Sequence, residues 1–228
     1  MLPLLVRQLR AGEYQAAQNS QNRAIEFALT LTLPAAAALI VIPEQIVTVL
    51  FQRGAFDPAA ARATAAALAA FAAGLPAYVL IKALIPGFHA REDTKTPVKI
   101  AIVAVIANVA LALILMQFLA HAGIALATAL TAWFNAAMLG WILIRRGHLV
   151  FDRRLVRRVP RLALAAMAMA GALWGGAAML AGPLNDGEPS RIAALAALIA
   201  GAMAVFALIA MATGAVRLGE LRAALKRG

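Results

Sequence analysis

The sequence contains no cysteine, and only 14% of its residues are charged, whereas 64% are hydrophobic. Without cysteine, a disulfide framework and thiolate chemistry are both excluded. Soluble domains are about half apolar and about one quarter charged. This composition therefore excludes an ordinary soluble domain. Acidic residues are scarcer still, with 10 Asp and Glu against 21 Lys and Arg.

The common motifs of enzymes are also missing. The sequence has no HExxH, no GxSxG and no glycine-rich phosphate loop, and these motifs mark zinc proteases, serine hydrolases and nucleotide-binding proteins. His89, His121 and His148 are isolated and lie on or near predicted turns. We therefore expect no enzyme, no metal site and no cofactor.

The most prominent feature present is a series of long apolar runs. Each is about 20 residues or longer, which matches a hydrocarbon core of about 30 Å crossed at about 1.5 Å per residue. The runs lack alternation with a period of two, so helices are favoured over barrel strands. The sequence predicts an all-α polytopic membrane protein with six transmembrane helices, at about 25–51, 60–86, 98–119, 122–144, 160–182 and 190–216.

The residues inside and between the runs refine this topology. Pro34 and Pro43 predict kinks or breaks in the first run. The third and fourth runs are separated only by AHAG (120–123), so we expect those two helices to be antiparallel neighbours. The longest predicted linker, 145–161, is strongly basic, and it is expected to attract anionic lipid.

Charge in the loops predicts the orientation of the chain. Cytoplasmic loops carry an excess of Lys and Arg. If the N-terminus is cytoplasmic, the outer segments hold only Arg53, Arg62 and Arg191, and Lys82 lies within a span. The inner segments then hold Arg7, Arg10, Arg23, Arg91, Lys95, Lys99, Arg145, Arg146, Arg153, Arg154, Arg157, Arg158, Arg161, Arg217, Arg222, Lys226 and Arg227. We therefore expect both termini to be cytoplasmic, and the charge of +11 does not indicate nucleic acid as a partner.

The turn GFHAREDTKTPVKIA (87–101) separates the second and third runs. We expect Thr96 to cap the third helix and Pro97 to occupy its first turn, where no backbone donor is lost. Glu92 and Asp93 lie near that helix N-terminus, where negative charge is favourable. On physical grounds alone, this segment is a mixed-charge turn exposed to water.

Several motifs together resemble the MurJ (MviN) family of lipid II flippases. They are LFQRGAF (50–56), GLPAYVLIKALIPGFHAREDTKTPVKIA (74–101), ANVALAL (107–113) and GIALATALTAWFNAAML (123–139). The resemblance covers the C-terminal portion of that family, about the last six of fourteen helices. It implies a partial multidrug/oligosaccharidyl-lipid/polysaccharide exporter fold. The implied division is 1–24, a cytoplasmic segment and the end of a preceding helix; 25–146, four helices of the C-terminal lobe; and 147–228, a basic linker, two additional helices and a tail.

The resemblance also implies a function. A member of the family exports the lipid-linked peptidoglycan precursor across the bacterial cytoplasmic membrane, so the partners would be that precursor, membrane lipid and the missing N-terminal half. Coupling to sodium or to the membrane potential is expected from some relatives. Two alternatives stay open: another exporter of the same fold, acting on a polysaccharide or a drug, or a membrane scaffold that does not transport.

Three groups of charged residues match the family motifs. Lys82 is expected to contact the substrate diphosphate or to control access, and its alternative is a lysine that extends its ammonium to the membrane surface. Arg91, Glu92 and Asp93 are expected at an inner gate, or else as solvated turn charges. Arg53 is expected at an outer gate, or else as an isolated outer arginine.

A set of neutral polar residues lies within the third and fourth runs. Thr128, Thr131 and Asn135 share one helical face, and Asn108 should lie at their depth across the hairpin. Buried amides need partners, so these residues form either an interhelical hydrogen-bonded site or, as the resemblance implies, a cation site. The glycine-rich GALWGGAAML (171–180) indicates close helix packing or, by the resemblance, a groove for a polyprenyl tail.

Overall fold

The computed structural model describes residues 2–52, 56–185 and 187–215, and these are nearly all helical. The all-α prediction is therefore confirmed. Five helical segments are long and apolar enough to cross a membrane, and one of them contains a hairpin of two crossings. In chain order the helices are α1 (Leu2–Arg10), α2 (Tyr14–Val41), α3 (Pro43–Phe51), α4 (Pro58–Ala72), α5 (Leu75–His89), α6 (Lys95–Arg145), α7 (Arg153–Met179), α8 (Ala181–Asn185) and α9 (Glu188–Ala212).

The first apolar run is divided into two helices at Ile42. Helix α2 continues through Pro34 and ends at Val41. Ile42 has non-helical dihedral angles, φ −124° and ψ 43°, and Pro43 then begins α3. Proline suits the first position of a helix, since its missing N–H would have no partner there. The predicted break at Pro43 is therefore confirmed, whereas Pro34 does not interrupt its helix.

The second apolar run is also divided, which the sequence reading did not predict. Helix α4 ends at Ala72, and α5 begins at Leu75 with Pro76 in its first turn. Phe71 and Tyr78 stack across this break with ring centroids 5.1 Å apart. Helix α5 then continues to His89, beyond the predicted end of the span at residue 86.

The third and fourth runs form an antiparallel hairpin within α6. Ala120, at φ 48° and ψ −131°, reverses the chain. Just beyond it, a Cβ atom placed on Gly123 would lie 2.3 Å from the carbonyl oxygen of Leu115, so only glycine permits this approach of the two backbones. The prediction that these helices are antiparallel neighbours is confirmed.

The connection between α6 and α7 is shorter than predicted. After α6 ends, Gly147 adopts φ 70°, and the N–H of His148 donates to the carbonyl of Leu143 at 2.9 Å. Such a left-handed glycine is a common helix terminator. Helix α7 starts at Arg153, because the Asp152 carboxylate accepts the N–H of Leu155 at 2.6 Å. The basic segment 145–161 is therefore partly helical, because its residues from Arg153 onward belong to α7, and its role as a linker between two membrane spans stays a prediction.

The described residues divide into two compact units. The first combines those of Met1–Thr32 and Ala70–Val156, and the second those of Leu33–Ala69 and Arg157–Gly228. Small residues allow helices to approach closely in each unit. In the first, Ala77, Ala132 and Ala136 form a core under Tyr78, Leu80 and Ile81. In the second, Val47, Ala61 and Ala65 pack with Phe56 and Leu68. The sequence-based division into 1–24, 25–146 and 147–228 stays a prediction.

Candidate functional site

Lys82 lies on the wall of an open groove in the first unit. The groove has a volume of about 550 Å³ and is lined by α1, α2 and α5. Its lining is largely apolar, with residues such as Phe27 and Val79, and Lys82 and Arg23 are its two cationic side chains. Lys82 is exposed. Since α5 extends to His89, Lys82 lies about 10 Å from the helix end at about 1.5 Å per residue.

Arg23 is held in position by a cluster of charged side chains. Its guanidinium forms ion pairs with the carboxylates of Glu26 and Asp152. Arg154 also binds Glu26 through two hydrogen bonds, of 3.1 and 3.2 Å. Glu26 is only 7% exposed, and buried carboxylates are stable as anions only when they are paired. The cluster therefore combines two cations with two anions.

Further polar contacts attach α2 to the segment between α6 and α7. Asn22 donates to the carbonyl of Val150 at 2.8 Å, and Gln18 donates to the carbonyl of Gly147 at 3.2 Å. Together with Glu26, these residues lie four positions apart on one face of α2. The sequence reading missed this cluster, although polar residues spaced by four within a membrane helix are a signal that could have found it.

The turn between α5 and α6 has a different arrangement from the expected one. The Asp93 carboxylate accepts the N–H of Thr96 at 3.0 Å and forms an ion pair with Arg146 at 2.6 Å. Helix α6 begins at Lys95, so the expectation that Thr96 caps it was wrong: Asp93 supplies the capping oxygen, as aspartate commonly does. Pro97 lies in the first turn, as predicted.

The other two residues expected at the inner gate, Arg91 and Glu92, take no part in that ion pair. Arg91 is half-buried and donates to the carbonyl of Gly87 at 2.7 Å. Glu92 is exposed and has a φ of 61°. Their participation in a gate stays a prediction, as does that of Arg53, which lies outside the described residues.

Electrostatic effects in this turn follow from its contacts. Hydrogen bonds from Thr96, together with the ion pair to Arg146, lower the pKa of Asp93 to about 2. Burial lowers the pKa of Arg91. Burial also lowers the pKa of His148, and the positive charges of Arg91 and Arg146 lower it further. These groups therefore form a charged surface on which Asp93 is ionised and the protonation of His148 is disfavoured.

The four neutral polar residues come together around a pocket of about 320 Å³ between the arms of the hairpin and α5. Asn108 donates to the Thr131 hydroxyl at 3.0 Å, and that hydroxyl donates to the carbonyl of Ala127 at 2.9 Å. Thr128 donates to the carbonyl of Ile124 within its own helix. The structure thus contains an interhelical hydrogen bond, and the cation site stays a prediction.

Two further polar atoms at this pocket are buried without a hydrogen-bond partner among the described residues. They are the carbonyl oxygen of the Asn135 side chain and the hydroxyl of Tyr78. A buried polar atom left unpaired costs about 1–3 kcal/mol. Tyr78 was missed by the sequence reading, since a tyrosine in an apolar run is usually a packing residue.

The long apolar helices, with charged clusters at their ends and a polar pocket between them, define a polytopic α-helical membrane protein. The family model described as "Lipid II flippase MurJ" matches residues 1–187. The chain belongs to that family, as its motifs indicated.

Two similar relatives support this membership over the full chain. A protein of Rhizobium meliloti (strain 1021), described as a probable lipid II flippase MurJ, is 48% identical over 100% of this chain and 43% of its own length. A protein of Rhizobium tropici with the same description is 44% identical over 100% of this chain and 43% of its own length. The chain thus spans less than half the length of these relatives.

A solved structure shows the same fold. It is described as lipid II flippase MurJ in an inward closed conformation, and it matches with a TM-score of 0.70 and 21% identity. The match covers 92% of this chain and 41% of that one. The helices described above therefore form part of the fold of that protein.

Proposed function

We propose that this chain is the C-terminal part of a flippase that moves the lipid-linked peptidoglycan precursor from the cytoplasmic to the periplasmic leaflet of the bacterial cytoplasmic membrane. Membership of the family supports the substrate class. The observation that carries the proposal is the position of Lys82, a cation on an apolar groove wall within a membrane helix. Such residues are costly in a membrane and are usually functional.

The charge balance of the groove supports Lys82 as the group that attracts the substrate. Arg23, the other cation of the groove, already binds Glu26 and Asp152. Lys82 forms no ion pair with another described residue, so it supplies the groove with positive charge that is not balanced there. A lipid-linked precursor carries a diphosphate, and lysine is a common point-charge ligand for phosphate. In this proposal Lys82 binds the diphosphate while the apolar wall contacts the adjoining lipid.

We propose that the chain acts together with an N-terminal half, like that of its longer relatives. Transporters of this kind alternate access by moving one half against the other. The unpaired oxygens of Tyr78 and Asn135 support a polar partner for the pocket, because lipid offers no hydrogen bonds to them. This applies whether the second half belongs to the same polypeptide or to another.

The inner gate is proposed to involve Glu92 more directly than its neighbours. Asp93 already pairs with Arg146, and Arg91 already donates to a backbone carbonyl. Glu92 is exposed, so it is the residue of this set best placed to pair with the other half. An outer gate at Arg53 stays a proposal based on the family motif alone.

Coupling to sodium or to the membrane potential is proposed to involve the pocket around Asn108. Its polar groups on this chain are neutral oxygens and amides, so a bound cation would need a carboxylate from the other half. Substituting Asn108→Ala and measuring transport in sodium and in choline buffers tests this. The proposal expects the variant to lose the difference between the two buffers, and a retained difference would contradict it.

The orientation is proposed to place both termini in the cytoplasm, on the basis of the charge asymmetry. Because the chain has no cysteine, single cysteines report on topology directly. An impermeant thiol reagent added to intact cells should label Asp57→Cys and leave Lys95→Cys and Arg153→Cys unlabelled. All three native residues are exposed, and the reverse pattern of labelling would overturn the orientation.

Complementation of a bacterium depleted of its own flippase tests the role of Lys82. The chain joined to its N-terminal half should restore growth, and Lys82→Ala should abolish this at normal protein levels. Lys82→Arg should retain part of the activity, because it keeps the charge and changes the geometry. The matched control is Lys99→Ala, another exposed lysine, which should complement fully. Normal growth with Lys82→Ala would show that Lys82 only reaches for the membrane surface.

A further inference from the structure

One face of α7 changes from cationic to apolar along its length. Arg157, Arg161 and Leu164 lie at helical spacing on this face, followed by Met167 and Trp174 within the same outward arc. The two arginines are exposed. Leu164, Met167 and Trp174 are 51%, 64% and 76% exposed.

The opposite face of α7 is buried. Arg158, between the two exposed arginines in sequence, is only 5% exposed, and Leu162 and Leu173 are fully buried. The rotation of the helix is therefore fixed by packing. Arg157 and Arg161 are exposed on the same side of the helix as the exposed apolar residues, and the guanidinium of Arg161 lies near Gly214.

The two exposed arginines lie at the level of a membrane surface. The apolar part of α7, from Leu162 to Met179, is about 27 Å long at about 1.5 Å per residue, close to the hydrocarbon thickness of about 30 Å. With this part in the hydrocarbon, Arg161 lies at its boundary and Arg157 about 6 Å further out. Phospholipid phosphates occupy this zone.

The charges of Arg157 and Arg161 are not balanced within the part of the chain that the structure describes. Helix α7 contains no acidic residue. Neither arginine side chain has a hydrogen bond or an ion pair to another described residue, in contrast to Arg23, Arg146 and Arg154. Two adjacent guanidinium groups that pair with no anion among the described residues are complementary to an external anion.

We propose that Arg157 and Arg161 bind the phosphate of an acidic phospholipid whose acyl chains lie along Leu164 and Met167. Guanidinium groups bind phosphate oxygens with two parallel hydrogen bonds. The apolar residues directly above them contact the acyl chains, which a free phosphate ion lacks. In the orientation proposed above, this lipid belongs to the cytoplasmic leaflet. The site is separate from the groove at Lys82, and it would anchor α7 to the membrane surface.

Lipid selectivity measured on the assembled protein, with its N-terminal half, tests this site. Spin-labelled phosphatidylglycerol and phosphatidylcholine with identical chains would be compared in bilayers by electron paramagnetic resonance. The native protein should prefer phosphatidylglycerol. The double variant Arg157→Gln/Arg161→Gln should lose this preference, by roughly five-fold for each arginine, and Arg157→Lys/Arg161→Lys should keep most of it.

The matched control is Arg62→Gln, which removes an exposed arginine from the first part of α4. It should leave the preference unchanged. An unchanged preference in the double glutamine variant would overturn the proposal. An equal loss in the control would overturn it too, because the effect would then be one of total charge. Displacement of phosphatidylglycerol by millimolar inorganic phosphate would also overturn the proposal, because the arginines would then bind a free phosphate ion and not a lipid. A cooperative thermal unfolding transition shows that each variant is folded. If the double glutamine variant is not folded, lipid preference is measured on Arg157→Gln and Arg161→Gln separately.

Discussion

The side-chain amide of Asn108 donates a hydrogen bond to the hydroxyl of Thr131 at 3.0 Å, joining the two arms of the α6 hairpin. The two residues are 23 positions apart in the sequence. Because the bond lies within the apolar part of the hairpin, it fixes the register of one helix against the other. It also determines which side chains face the pocket that contains Tyr78 and Asn135.

This hydrogen bond should be measurable by a double-mutant cycle with Asn108→Ala and Thr131→Val. We expect the two substitutions to be coupled by about 0.6 kcal/mol, and by no more than about 1.7 kcal/mol, as is typical of hydrogen bonds between membrane helices. The free energy of unfolding in detergent is the quantity to compare. Strictly additive effects would show that the two side chains do not interact in the folded protein.

Gly123 should tolerate no side chain. In Gly123→Ala the new Cβ would meet the backbone carbonyl of Leu115 at 2.3 Å, and backbone cannot move aside as a flexible side chain can. We expect a loss of about 1–3 kcal/mol in unfolding free energy, the usual range for overpacking. Thermal unfolding followed by circular dichroism measures this.

Gly140→Ala provides the control for the Gly123 substitution. Its Cβ would lie 3.9 Å from the Cδ1 atom of Leu84, which is an ordinary contact, and alanine is the better helix former. We expect this variant to be as stable as the native protein or slightly more stable. Equal destabilisation by the two substitutions would contradict the tight hairpin.

Glu26→Gln should weaken the attachment of α2 to the first turn of α7. Glu26 is buried and binds both Arg23 and Arg154, and removing one partner of a buried ion pair is strongly unfavourable. Both arginines keep some contact with solvent, which reduces the effect. We therefore expect a loss of about 1–3 kcal/mol in unfolding free energy.

The exposed Glu92 gives the matched control for Glu26. Glu92→Gln removes the same charge at a surface position, where substitutions usually change stability by less than about 0.5 kcal/mol. Chemical denaturation of both variants in the same detergent makes the comparison. If Glu26→Gln is no worse than Glu92→Gln, the ion pairs contribute nothing to stability.

His148 should make stability fall as the pH decreases. Burial and the charges of Arg91 and Arg146 lower its pKa below the ordinary value of 6.5. The unfolded state therefore binds the proton more readily, and stability rises with pH across the range in which the two states differ. The contribution of His148 is fully present above pH 6.5 and is lost as the pH falls from there towards the lower pKa of the folded protein.

The substitution His148→Gln separates this effect from other titrations. The melting temperature of the native protein should fall between pH 7.5 and pH 5.5, and that of the variant should fall less. Asp93 does not titrate in this interval, since its pKa is about 2. A native protein and a variant with parallel pH dependences would exclude His148 as the cause.

Apolar run length and the proline and glycine positions predicted most of the fold. Pro43 marked a helix boundary and AHAG marked the hairpin, because each changes what the backbone can do locally. The division of the second run at Ala73 was not predictable in the same way. Proline is acceptable in the first turn of a helix, so Pro76 within an apolar run fits either one helix or two.

Contacts in the candidate site could be predicted only between residues that are close in sequence or that face each other across the predicted hairpin. Asn108 and Thr131 could be matched because the short turn fixed their separation from it. The contacts of Arg23 with Asp152 and of Glu26 with Arg154 join positions more than 120 residues apart, so no local pattern could pair them. Asp93 rather than Thr96 caps α6, because the helix begins two residues earlier than expected.

The claim that this chain is half of a flippase is tested most directly by transport in liposomes. Fluorescently labelled lipid-linked peptidoglycan precursor would be incorporated together with the purified chain alone, or with the chain and its N-terminal half. We expect the chain alone to move the precursor no faster than protein-free vesicles do, and the two halves together to move it faster. Rapid movement by the chain alone would show that it is not half of a flippase and would indicate a flippase assembled from copies of this chain.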